Sequence, residues 1–88
     1  MPAYTTRTAV MAQQVEDSTI LLDLESGTYY RLNSTGSLVW SGLERHHGVD
    51  QIVETISTEC QTSPDLVRSE VTTLLAHLVE HGLLGFEP

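Results

Sequence analysis

His77 and His81, one helical turn apart, and the single Cys60 are the residues of this 88-residue chain best suited to holding a metal ion. A zinc site needs at least three protein ligands, and two His at this spacing fill only half a tetrahedral shell. The run His77-Leu78-Val79-Glu80-His81 also misplaces the acid relative to the His-Glu-x-x-His pattern. Both imidazoles fall at the polar edge of the helix they ride on, so they read as solvated. Cys60 has no base beside it in the sequence and nothing to depress its thiol pKa, which argues against a nucleophile. His46-His47 reads as a helix end, where a cationic side chain is favourable. No nucleophile is matched with a base anywhere. Neither an enzyme nor a metal or other cofactor is expected.

Charge narrows the partners. The chain carries four arginines, no lysine and 12 acidic residues, for a formal net charge of −8. Nucleic-acid binding depends on Lys and Arg neutralising phosphates. Arg7, Arg31, Arg45 and Arg68 are dispersed and make no basic face. An acidic surface favours neutral or basic partners and also keeps a small protein soluble. The apolar runs, such as Ile20-Leu21-Leu22, are far below the roughly 20 residues of a membrane span. The N-terminus lacks the apolar stretch of a secretory signal. One cysteine permits no internal disulfide, which fits a reducing cytoplasm. No membrane or nucleic-acid partner is expected.

The elements divide the chain into a strand half and a helix half. Thr8 to Gln14 reads as a first strand and Glu16-Asp17 as a turn. Thr19 to Leu24 reads as a second strand, with Ile20, Leu22 and Leu24 on one face. Glu25-Ser26-Gly27 reads as a tight loop in which Gly27 takes positive φ. Thr28 to Leu32 is the third strand. Tyr30 and Leu32 point one way, toward a core, and Tyr29 and Arg31 the other. Short links predict an antiparallel meander. Asn33 is an N-cap for a helix over Ser34 to Arg45 that carries the core residue Trp40, and Gly48 is expected to stop it. A second helix spans Asp50 to Glu59. Thr62-Ser63-Pro64-Asp65 starts a third, with a hydroxyl cap, Pro in the first turn and an early acid; it runs to His81, where Gly82 stops it. Leu83-Leu84 and Phe86 should fold back on the core. Residues 1–7 are expected to fray. The whole, residues 1–88, is one small domain with one core.

The third helix is broader in its apolar surface than a single core requires. Leu66, Val67, Val71, Leu74, Leu75, Leu78 and Val79 span roughly 220° of its circumference, against a stripe of about 100° for one packed face. The surplus either packs between two layers or lines a groove beside the sheet, with Arg68 at its rim.

The run Asp23-Leu24-Glu25-Ser26-Gly27-Thr28-Tyr29-Tyr30-Arg31-Leu32-Asn33-Ser34-Thr35-Gly36, then Val39-Trp40, then Gly82-Leu83-Leu84 after a long helix, resembles the PqqD-like family of recognition elements for ribosomally made, post-translationally modified peptides (RiPPs). The hairpin followed by Leu-Asn-x-Thr-Gly looks most like the stand-alone members that serve lasso peptide biosynthesis. The resemblance covers Thr8 to Leu84. It implies an α+β, winged-helix-like fold: a three-stranded antiparallel sheet packed on three helices. It implies a non-catalytic adaptor that binds a precursor's leader segment as an added strand beside the third strand. It further implies delivery to a separate leader peptidase of the cysteine-protease type and to a lasso cyclase. On this account Thr28, Tyr29, Tyr30, Arg31 and Leu32 form the docking edge, and Val67, Arg68, Val71, Leu74 and Leu75 are candidates for the groove wall. The physics agrees, because an exposed strand edge supplies affinity through backbone pairing and its pockets supply selectivity. Two alternatives stand beside it. One is a PqqD-type peptide chaperone working with a radical enzyme on a peptide-derived redox cofactor. The other is a winged-helix DNA-binding regulator, which the third helix disfavours because it offers Arg68 alone against Asp65, Glu70 and Glu80.

Overall fold

The computed structural model describes residues 3–87. Strands β1 (Ala3–Thr6), β2 (Val10–Val15), β3 (Ser18–Asp23) and β4 (Thr28–Leu32) come first; helices α1 (Ser34–Glu44), α2 (Val49–Cys60) and α3 (Pro64–Glu80) follow, and β5 (Leu84–Glu87) ends the chain. The fold is α+β: β2, β3 and β4 form a three-stranded antiparallel sheet in that order, packed with three helices. The third strand of this sheet has the bounds the sequence predicts; the first starts later, because Thr8 and Ala9 belong to a turn closed by the Val10 N–H on the Arg7 carbonyl at 3.1 Å.

One element departs from expectation. Residues 1–7 were expected to fray, but Ala3–Thr6 pairs antiparallel with β5 as a separate two-stranded sheet, Tyr4 opposite Phe86. Their rings lie 4.9 Å apart; Phe86, expected to fold back on the core, instead packs on Tyr4 and stays 44% exposed. Met1 and Pro2 lie outside the described residues. Arg7 then reaches both the Gly82 carbonyl at 3.2 Å and the Glu25 carboxylate at 3.3 Å, tying the first strand to the end of α3 and to the β3–β4 loop.

Local chemistry sets the helix ends. The Asn33 Oδ1 accepts from the Gly36 N–H at 2.9 Å, satisfying an otherwise orphaned donor at the start of α1. Helix α3 ends in a Schellman motif: Gly82 at φ 76° donates to Val79, and Leu83 donates to Leu78. Helix α1 ends the same way, but the left-handed residue is His46 at φ 63°, with His46 donating to Leu43 and His47 to Gly42. Gly48, expected to be that stop, is extended and caps the start of α2 instead. Helices α1 and α2 approach closely at Gly42, where a β-carbon would sit 2.7 Å from Ile52 Cγ1.

The core gathers Leu21 and Leu32 from the sheet, Val39, Trp40 and Leu43 from α1, Ile52 and Ile56 from α2, the inner face of α3, and Leu83 and Leu84. Trp40 is buried as expected. In β3 the apolar triplet splits between faces: Leu21 is fully buried, while Ile20 and Leu22 lie on the opposite side with Met11 and Tyr29 in their cross-strand rows. Among the described residues no helix is long and apolar enough to cross a membrane.

Candidate peptide-binding edge

β4 lies at one side of the sheet, with β3 as its neighbour there among the described strands. The hydrogen-bond register decides which of its backbone groups are free. Leu24 N–H donates to the Ala9 carbonyl at 2.8 Å. In an antiparallel ladder the inward-pointing residues alternate, so Leu22 and Ile20 turn their backbone groups toward β2 and Leu21 and Thr19 toward β4. Leu21 faces Tyr30 and Thr19 faces Leu32. Tyr30 and Leu32 are thereby occupied within the sheet, and Tyr29 and Arg31 present their N–H and C=O groups outward.

The side chains of β4 alternate as the sequence predicts. Leu32 is buried and Tyr30 half-buried against the core, whereas Tyr29 is 68% exposed. Arg31 is exposed on the same face as Tyr29, and its Nη2 donates to Ser18 Oγ at 3.3 Å. The loop before the strand is organised by Asp23, whose carboxylate accepts from the Glu25 N–H and the Ser26 hydroxyl, both at 3.0 Å. The Glu25 N–H holds the Asp23 carboxyl below the usual aspartate range; desolvation opposes this, while Ser26 and the Arg7 charge add to it. Gly27, at φ 73°, closes the loop.

α3 borders this edge through one flank only. The rings of Tyr30 and His81 lie 5.7 Å apart. At 100° per residue, Leu74 is within about 20° of His81 on the helix wheel, and Glu70 and His77 follow on the same flank. Leu74 is half-buried, and Leu66, at the outer limit of that flank, is 54% exposed. Of the residues expected on the groove wall, Leu74 shares the helix flank of His81 by periodicity. Val67, Val71 and Leu75 are 3%, 1% and 1% exposed and belong to the core. Arg68, expected at the groove rim, lies on the other flank, where its Nη2 pairs with Asp50 Oδ1 of α2 at 2.7 Å. The reason is geometric: the middle of the broad apolar arc faces the core, and the sequence does not say which of its two margins meets the sheet. His81 is exposed, as the sequence predicts, and its ring contact with Tyr30 puts it on the β4 side.

Among the described residues no three His, Cys, Asp or Glu side chains converge as metal ligands. Cys60 is free and exposed.

A strand edge open beside a helix flank, on this topology, is the arrangement expected of a PqqD-like RiPP recognition element. The family model for coenzyme PQQ synthesis protein D (PqqD) matches residues 18–84, and the chain belongs to that family. No curated protein sequence matches it. Among solved structures, TbiB1 in complex with the TbiA(β) leader peptide is 31% identical, with a TM-score of 0.86, the match covering 91% of this chain and 93% of that one. A lasso peptide synthetase B1 complexed with its leader peptide superposes with the same TM-score over 94% of this chain and 98% of that one, at 23% identity, a likeness of fold.

Proposed function

We propose that this protein is a non-catalytic adaptor that binds the leader segment of a lasso-type precursor peptide along β4 and presents it to a separate leader peptidase, of the cysteine-protease type, and to a lasso cyclase. The observation that carries this reading is the pair of outward backbone amides at Tyr29 and Arg31, in a chain 31% identical to a protein solved with a leader peptide. An incoming strand gains backbone hydrogen bonds there. Its alternate side chains fall on two faces: over Tyr29 on one, and between Tyr30, Leu74 and His81 on the other. Thr28 and Leu32 bound the pairing segment. The family match taken alone suits a PqqD-type chaperone of a radical-enzyme pathway equally well; the identity to TbiB1 over most of both chains favours the lasso reading.

The test is a fluorescence polarisation titration with a labelled leader peptide from the adjacent precursor gene. Wild-type protein is expected to bind saturably, and Tyr29→Ala to bind at least about tenfold more weakly with an unchanged melting temperature. Rising salt should weaken a leader that carries basic residues, given the −8 net charge. A salt-independent affinity would remove the electrostatic part of the reading, and absence of saturable binding would remove the whole.

A further inference from the structure

The three-stranded sheet has a second side. β2 forms its other margin, and no strand among the described residues pairs with it there. By the same register argument Met11, Gln13 and Val15 turn their backbone groups toward β3, while Ala12 and Gln14 turn theirs outward. Natural edge strands are commonly blunted by charge or proline. Val10–Val15 has neither.

A cleft of ≈ 530 Å³ runs between this margin and α1, and the side chains of Ala12 and Gln14 line it. Thr19 and Ser37 also line it and are joined by a buried 2.6 Å hydroxyl hydrogen bond. Trp40 contributes to the same wall; its Nε1 is buried and has no hydrogen-bond partner among the described residues. An extended segment paired with β2 would send every second side chain into this space.

Charge and position select the occupant. Asp17 and Glu44 stand at the cleft against Arg45, on a chain of net charge −8. A neutral or basic segment is favoured, and a second copy of this chain would bring the same acids against them. An enzyme acting on a leader bound at β4 must dock elsewhere, and β2 lies across the sheet from that edge. Resting on the reading of β4 above, we propose that β2 and its cleft receive an extended, neutral-to-basic segment of the leader peptidase.

The experiment uses full-length protein, labelled leader and purified leader peptidase from the same gene neighbourhood. Ala12→Pro and Gln14→Pro each delete one outward N–H and leave the β2–β3 bonds in place. Glu44→Arg keeps the strand and reverses a charge at the cleft. Expected results are peptidase binding weakened at least about tenfold by either proline and about threefold or more by Glu44→Arg at low salt. Leader affinity should stay within about twofold of wild type throughout. If a proline variant loses its circular dichroism signal, the remaining variants decide. Unchanged peptidase binding in the folded variants overturns the proposal while leaving the β4 reading intact. A wild-type dimer in sedimentation that Ala12→Pro converts to monomer also overturns it, by assigning the edge to a second copy. Failure of wild type to bind leader removes the β4 reading, and this proposal with it.

Discussion

Proline at position 31 offers a sharp test of the docking edge. The Arg31 N–H points away from β3, so Arg31→Pro removes a donor that the fold itself does not use. An added strand would lose one hydrogen bond, worth about 1 kcal/mol, and would bury a carbonyl without a partner at about 1–3 kcal/mol. The sum, about 2–4 kcal/mol, corresponds to roughly 30- to 700-fold in Kd. The lost guanidinium, which donates to Ser18 Oγ at 3.3 Å, is controlled by Arg31→Ala. One position earlier the consequence reverses: the Tyr30 N–H faces β3 opposite Leu21, and Tyr30→Pro should break the sheet. Polarisation of labelled leader gives the affinities, and thermal melts followed by circular dichroism report the fold. If Arg31→Pro is folded and binds leader within twofold of Arg31→Ala, strand addition at β4 is refuted, whatever other surface the leader uses.

Other perturbations bear on the fold. Trp40→Ala should cost about 3–5 kcal/mol, enough to leave so small a domain largely unfolded in a urea titration. His46→Gly relieves the left-handed backbone at φ 63° and should raise stability by about 1 kcal/mol, a rise of roughly 4–8 °C in Tm. Asp23 has its folded-state pKa depressed, so its contribution is full above the ordinary aspartate value, about 3.9, and is lost as pH falls through the lower folded value. Below about pH 4, wild-type stability should therefore fall more steeply than that of Asp23→Asn; parallel acid titrations by tryptophan fluorescence would contradict this.

What was legible in the sequence was what local chemistry determines. The bounds of β4, the Asn33 cap, the positive φ of Gly27 and the stop at Gly82 all follow from residues within a few positions of one another. The alternation that exposes Tyr29 and turns Tyr30 inward follows from strand parity. The β1–β5 pairing was hidden because it joins four-residue segments some 80 positions apart, neither carrying a strong signal of its own. The choice of His46 over Gly48 was hidden because glycine preference ranks candidates and does not count turns; the last turn of α1 brings His46 to the left-handed position first. The groove wall was half legible. The width of the α3 arc indicated that some apolar surface reached beyond the core. It did not distinguish the flank beside Tyr30 from the flank beside α2, where Arg68 pairs with Asp50.

The clasp between β1 and β5 makes near neighbours of distant positions: Ala3 and Glu87 are register partners, which puts their α-carbons about 5 Å apart. Topologically the chain is almost a ring. A linker of a few residues would close it, and a new opening at the Glu16-Asp17 corner would leave every pairing intact while releasing β2 from its tether to β3.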